Sequence, residues 1–360
     1  MTSLSEPEVL VGAEQLGRTM RGVLSGLGAS DAHATAVAEL LVEADLSGVD
    51  SHGCHLLPMY VTRVSAGQID PVAAVRVLRD DGSSVWLDAG LGFGQPAGLR
   101  AVDLVTERAA AHGTAVVSVR EATHLGALGA YTRRVAEAGC IALCVQNGPT
   151  VVPPFGGVTP MFSTNPISYA FTNAEEQTVV FDVATTAVAG NKLLLAKKRG
   201  DTTIPAGWAN DENGRPTTDA QAASVWNLQW FGGHKGYGLA FFIEVLAGVL
   251  AGSSYGRTEK TASPAHGRER VAKGFTLIAI DPDRFIGRAE LGRRVDELVR
   301  DVHASTSAEG FGPILVPGEL EHHRRIQRRR DGIPLARAIV DELETMAQKY
   351  SAPPLLSNLS

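Results

Sequence analysis

A mixed α/β fold is what the sequence predicts, an α+β arrangement in which helices from both chain ends form an outer domain around an inserted sheet domain. Three observations lead there. Apolar residues recur at helical spacing from the N-terminus to about Ser65 and again after Gly318. Between those ends, short β-branched runs alternate with helical stretches. The runs are unevenly spaced, which argues against a plain doubly wound sheet. The expected boundaries are residues 1–75 plus 305–360 for the helical outer domain and 76–304 for the central α/β domain.

Helices are expected over residues 9–27 and 32–44, the second capped by Ser30 or Asp31 and stopped by Gly48. A third follows Ser51-His52-Gly53, runs to about Ser65 and ends at Gly67. Strands are expected at 84–88, 115–119, 141–145, 167–171 and 179–182, and much later at 275–280, before the turn or helix start Asp281-Pro282-Asp283. Helix returns from Gly318, with Pro334 opening the last one. The longest apolar stretch, residues 239–252, carries Glu244 in its middle and is well short of the ~20 residues of a membrane span, so it reads as a buried helix.

A chain of 360 residues at ~150 per domain should hold two or three domains. Its 44% hydrophobic and 20% charged content belongs to a soluble globular protein. With 33 Lys and Arg against 39 Asp and Glu, the net charge of −6 excludes a general polyanion binder, so no nucleic-acid partner is expected, and no membrane partner either. Three cysteines build no disulfide framework, and with no signal peptide visible the expected location is the cytoplasm.

Several short segments carry chemistry. Gly92-Phe-Gly94-Gln-Pro-Ala97 satisfies a dinucleotide fingerprint between a strand and a helix. Its turn is too long, however, and the acid at the end of the next strand, Glu121, comes too late, so it reads as a packing turn. Asp50-Ser51-His52-Gly53 is either a helix cap or a proton-trading histidine. Glu121-Ala-Thr-His124-Leu-Gly126-Ala-Leu-Gly129 leads from a strand into a helix, where backbone N–H groups converge and glycines permit close approach. Phe162-Ser-Thr-Asn165-Pro166 and Phe181-Asp182-Val-Ala-Thr-Thr186 put small polar groups at strand ends; Asp182 either caps a helix or orients a histidine. In Gly232-Gly233-His234-Lys235-Gly236-Tyr237-Gly238, four glycines surround a His-Lys pair at the start of an apolar helix, which suits a phosphate or carboxylate. Cys54, Cys140 and Cys144 read as core residues, and the basic run 322–330 as a solvated face; no metal spacing is present.

In this order the segments resemble the type-2 malate/L-lactate dehydrogenase family, the L-sulfolactate dehydrogenase-like oxidoreductases, from about Ala44 to about Pro282 and again at Pro317-Gly318-Glu319. The carriers are Asp50-Ser-His-Gly53 with Pro58 and Tyr60, Thr123-His-Leu-Gly126, Ser163-Thr-Asn-Pro166, Asp182-Val-Ala-Thr185, Asn213-Gly-Arg-Pro-Thr-Thr-Asp219 and Gly232-Gly-His-Lys-Gly236. The resemblance implies the family's own non-Rossmann fold, NAD or NADP as cofactor, a small-molecule substrate, a homodimer, and hydride transfer to a 2-oxo acid or, alternatively, a cyclic imino acid. A cofactor-binding homologue without turnover is the competing class.

By the same resemblance His52 is the proton donor with Ser51 and Asp182 as its relay, or the acid/base is His124. Tyr60, Thr164 and Lys192 fall at the substrate, and Leu56 stands where the family commonly has an arginine. Cofactor contacts are expected from His124, Leu125, Gly126, Ala127, Leu128, Gly148, Asp182, Val183, Ala184, His234, Lys235 and Gly236. Gly148 replaces a frequent serine. Leu56 offers no donor to a substrate carboxylate, so a substrate bulkier than pyruvate is expected.

Overall fold

The computed structural model describes residues 8–356 apart from 176, 199, 225 and 257–271. The chain opens with β1 (Glu8–Val11), α1 (Ala13–Gly26) and α2 (Asp31–Leu46), then two single 3₁₀ turns and α3 (Leu57–Ser65). Next come β2 (Arg76–Asp80), β3 (Ser84–Asp88), α4 (Gly94–His112), β4 (Thr114–Ala122), α5 (Gly129–Glu137), β5 (Ile141–Gln146), β6 (Ile167–Thr172) and β7 (Thr178–Val183). An irregular region holds α6 (Gly190–Lys198) and the short pair β8 (Ala209–Asn210) and β9 (Pro216–Thr217). α7 (His234–Glu244) runs into a π turn, and β10 (Lys273–Ile280), α8 (Arg288–His303), α9 (Glu319–Asp331), β11 (Ile333–Ala336) and α10 (Arg337–Lys349) complete the chain.

Among the described residues the main sheet has seven strands in the order β2-β3-β4-β10-β5-β6-β7. Only the β3–β4 pairing is parallel, as a strand–helix–strand crossover through α4 requires; the others are antiparallel. The sheet is therefore mixed, and a Rossmann arrangement is absent. Period-two alternation divides β10 between two faces. Phe275, Leu277 and Ala279 join Ala97, Ala101, Leu104 and Val105 of α4, while the Thr276 hydroxyl turns the other way and donates to Leu246 O in the π turn. Each fully buried Leu or Phe in this layer contributes roughly 1.5–3 kcal/mol. A second core joins Leu16, Met20 and Val23 of α1 and Leu41 of α2 to Val340 and Leu343 of α10, tying the two chain ends together.

Two expectations fail at the ends of the chain. Residues 8–11 are a strand, not the start of a helix, and Pro334 lies inside β11 instead of opening α10. β1 and β11 pair antiparallel with Leu10 opposite Pro334, burying Val11, Ile333 and Leu335. A two-strand ladder leaves each strand an open edge, where proline's missing N–H is tolerated. The apolar stretch at 239–252 is buried on one side only. Ile243 and Ala247 face the sheet, whereas Phe241 and Phe242 are 54% and 55% exposed. Among the described residues no helix is long and apolar enough to cross a membrane.

Candidate active site

Ser51 and His52 occupy the first 3₁₀ turn, Asp50–His52, directly after α2. The last turn of α2 clamps this segment: Cys54 N donates to Asp45 Oδ2 at 2.8 Å. A Cβ on Gly53 would fall 1.6 Å from Asp45 Oδ1, so glycine is the residue that lets the carboxylate approach. Burial pushes the Asp45 carboxyl up to about 7. Burial likewise pushes the Cys54 thiol well above its ordinary range, which suits a core residue and not a nucleophile.

The two candidate histidines meet. The rings of His52 and His124 stack with centroids 5.5 Å apart and planes 17° from parallel. Ser51 Oγ lies 2.9 Å from His52 Nδ1. On the other ring, Tyr60 Oη lies 3.0 Å from His124 Nδ1, and Gln95 Nε2 donates to the same phenol oxygen at 2.7 Å. With its oxygen taken by the Gln95 amide, the phenol gives its hydrogen to His124 Nδ1. His124 is thereby fixed as the Nε2–H tautomer. Burial lowers His52 to about 4, helped by the charge of His55. It lowers His124 to about 3, with His52, Arg63 and His55 adding to the effect. Both rings are neutral at neutral pH, and protonating one opposes protonating the other.

Helical geometry explains why Tyr60 reaches this pair. Leu56, Tyr60 and Arg63 stand at i, i+4 and i+7 along α3 and its N-cap, hence on one face. Leu56 is half-buried against the helical core. The Arg63 charge acts on both Tyr60 and His124.

The remaining segments are tied to one another by hydrogen bonds. Leu125 N donates to Gln146 Oε1 at the end of β5, and Gln146 Nε2 donates back to Thr123 O. Just beyond β5, a Cβ on Gly148 would lie 2.2 Å from Ser163 Oγ, so the Ser163 hydroxyl fills the space that a serine at 148 would need. Thr164 O accepts both the N–H and the hydroxyl of Thr185. Phe231 N donates to Thr185 O, and Gly236 N to Phe231 O, which places the start of α7 beside the Asp182–Thr186 segment. His234 and Lys235 sit in the first turn of α7, where His234 meets the ring of Phe155 edge to face. Lys192 is exposed on α6, while the side chains of Leu125 and Leu128 lie in the core and leave only backbone for a ligand.

Here the relay reading of Asp182 changes, while the packing reading of the glycine turn holds. The relay role expected for Asp182 toward Ser51 and His52 is not what its contacts show. Its Oδ2 accepts from Gly129 N at 2.7 Å and its carboxylate also takes Leu128 N–H, so it caps α5. The N–H groups that converge there are consequently occupied by protein. Although the residue opens onto a cavity, burial of its carboxyl pushes it up to about 6, against the Gly129 and Leu128 N–H groups and Arg133, which favour the charged form. The glycine turn at 92–97 is a packing device, since Gly94 N donates to Thr123 Oγ1 and a Cβ on Gly94 would lie 2.6 Å from His124 O. That turn supports the His124 loop from below.

A cavity of about 420 Å³ opens beside the pair. Its wall includes Val49, Ala127, Gly129, Asp182 and Val183, together with Leu315–Gly318, Glu43 and Arg133. Neither histidine lines it, but Val49 and Ala127 each stand three residues from one of them in the chain. Leu315, Val316, Glu43 and Arg133 were not singled out in the sequence; Pro317 and Gly318 entered only through the family resemblance, and Gln95 only as part of the glycine turn. Gly318 has φ +90°, and a Cβ there would lie 2.8 Å from Val180 N, so this loop closes on β7 only as glycine.

The chain is similar to proteins whose names agree with this geometry. The L-sulfolactate dehydrogenase of Methanocaldococcus jannaschii is 35% identical over 327 residues, 91% of this chain and 93% of that one. Its solved structure superposes with a TM-score of 0.87, covering 95% of this chain and 98% of the other at 34% identity. A Delta(1)-pyrroline-2-carboxylate/Delta(1)-piperideine-2-carboxylate reductase of Pseudomonas syringae pv. tomato is 34% identical over 344 residues, 95% of this chain and 97% of its own. The family profile described as malate/L-lactate dehydrogenase matches residues 11–344, and the chain belongs to the malate/L-lactate dehydrogenase family.

Proposed function

We propose that the chain is an NAD(P)-dependent oxidoreductase that moves a hydride between nicotinamide and a 2-oxo or 2-hydroxy acid. The observation that carries this reading is the stacked neutral pair His52 and His124, each held by its own hydroxyl. The small-residue wall of the adjoining cavity fits a nucleotide, and Asp182 faces it with a carboxylate better suited to ribose hydroxyls than to a phosphate. When bound, the nicotinamide supplies or takes the hydride. His52 exchanges the proton: its Nδ1–H is given to Ser51 Oγ, leaving Nε2 to take a proton from a substrate hydroxyl or return it to a carbonyl oxygen. His124 serves as a neutral Nε2–H donor that orients the same oxygen. Arg63, on the Tyr60 face of α3, attracts the substrate carboxylate, and Leu56 gives a bulky substituent an apolar neighbour.

A cyclic imino acid is the second reading. It is favoured by the Pseudomonas syringae relative and by a base that is neutral in the free protein and would be protonated only once an anionic substrate is bound. The exposed apolar face of α7 and the π turn, including Phe241, Phe242 and Leu250, suits burial against a second copy, and we take the protein to work as a cytoplasmic homodimer. The test is fluorescence titration with NADH and NADPH, followed by assays on a panel of 2-oxo acids and cyclic imines. Binding of neither nucleotide overturns the reading; binding without turnover of any panel member leaves a cofactor-binding homologue.

A further inference from the structure

The basic run at 322–330 does not behave as a uniform solvated face. Helical periodicity divides it. Arg328 turns inward to Asp50 at 2.6 Å, and Arg330 pairs with Asp331 at 2.7 Å. His322, Arg325 and Arg329 stand at i, i+3 and i+7, one stripe of α9, and this stripe lines a second cavity of about 220 Å³. Arg133 completes the wall, so three guanidiniums face one carboxylate, Glu137. Glu43 pairs with Arg133 but is shared with Arg134, so it offsets the group only in part. Among the described residues the guanidiniums of Arg325 and Arg329 make no ion pair or side-chain hydrogen bond.

Three guanidiniums and a histidine against Glu137 and a shared Glu43 leave an excess of positive charge, which a bound anion would offset. Arg325 is half-buried, and the neighbouring Arg133 and Arg329 add to burial in pulling it below the ordinary arginine range. Thr178 at the start of β7 adds a hydroxyl to the same wall. A compact dianion fits this composition, and a planar guanidinium is the side chain best matched to phosphate oxygens. The position says which phosphate. The basic cavity shares Arg133, Val180 and Gly318 with the larger cavity, so the two are neighbours across the Val180–Gly318 neck. On the larger cavity's side stands Asp182, which the cofactor reading assigns to ribose and which would keep the 3′ hydroxyl when the 2′ oxygen carries a phosphate.

We infer that the basic cavity bounded by Arg133, His322, Arg325 and Arg329 binds the phosphate monoester on the adenosine ribose of NADP, making the protein NADP-preferring. The inference rests on the cofactor reading above and deepens it. The experiment is titration of the intact wild-type chain and of Arg325→Gln, Arg329→Gln and Arg325→Lys with NADPH and NADH, with 2′-AMP and 5′-AMP as competitors. The expected result is tighter wild-type binding of NADPH and of 2′-AMP. Arg325→Gln should weaken NADPH by about ten- to hundred-fold, the loss of a charge-assisted contact, while leaving NADH unchanged. Arg329→Gln should act in the same direction, and Arg325→Lys should keep part of the preference. Equal weakening of both nucleotides would assign the pocket to the pyrophosphate and overturn the inference. Unchanged binding of both would detach the pocket from the cofactor and overturn it too, with the oxidoreductase reading intact. Failure of the wild type to bind either nucleotide would instead overturn the oxidoreductase reading on which the inference rests.

Discussion

Replacing Tyr60 by phenylalanine should separate what the phenol does for the fold from what it does for the chemistry. The ring is fully buried against Phe93, so Phe leaves no large cavity and the perturbation is the loss of one oxygen. That oxygen is the partner of Gln95 Nε2, on a side chain with no exposure whose Oε1 has no partner among the described residues. The variant therefore buries a wholly unpaired amide, which costs about 1–3 kcal/mol. The same change removes the donor that fixes the His124 tautomer. One neutral hydrogen bond of about 1.4 kcal/mol corresponds to about tenfold in kcat. Urea unfolding reads the first effect and steady-state kinetics the second. A Tyr60→Phe/Gln95→Met double variant should recover the stability, since no amide is left unpaired, but not kcat. Recovery of both together, or an unchanged kcat in the single variant, would refute the tautomer argument.

His52→Ala should lower kcat by roughly 10²–10⁴-fold, as for loss of a general acid/base, with His124→Ala raising KM as well; near-normal kcat in the first and none in the second reverses their roles. Because His52 in the free protein titrates at about 4, kcat/KM for oxidation should stay level from neutral pH down to about 4 and fall below it, whereas that for reduction should fall as pH rises through the same value; a bend at the ordinary histidine value would refute the burial effect. Asp182 has its folded-state pKa raised to about 6, so below that value the folded chain holds a proton the unfolded chain has lost, and stability drains away as pH climbs from about 4 to 6. Asp182→Asn should flatten that slope in urea titrations, and an unaltered slope would show the carboxyl to be unperturbed. Leu56→Arg, at the half-buried start of α3, should improve turnover of pyruvate and oxaloacetate relative to bulkier acids; efficient wild-type reduction of oxaloacetate would count against the apolar reading.

The strands of the sheet were legible because their β-branched runs are local signals: residues 115–119 lie inside β4, and 275–280 inside β10. β1 and β11 were not, since each is a strand only because the other lies beside it, more than three hundred residues away in the chain. The site divides in the same way. Motif order brought His52, Tyr60 and His124 to one place, but hydrogen-bond partners are set by tertiary packing. Hence Asp182, open in the sequence between a cap and a partner for histidine, holds the N-terminus of α5, and Gln95 went unread inside a glycine turn valued only for packing. Charge composition made α9 look uniformly solvated, because a net count does not register which stripe of a helix turns toward a wall.

The position of β10 in the sheet has a consequence for biosynthesis. It pairs with β4 on one side and β5 on the other, yet begins at Lys273, 127 residues after β5 ends at Gln146. A nascent chain emerging from the ribosome N-terminus first displays β4 and β5 with nothing between them, each presenting an unpaired row of N–H and C=O groups. Neither edge is satisfied until synthesis has passed Ile280. Pairing across so long a separation is slow, and the exposed edges invite other chains in the meantime. A chain cut short before Lys273 should therefore aggregate instead of folding in part, even though most of the residues proposed to act on substrate and cofactor precede the cut.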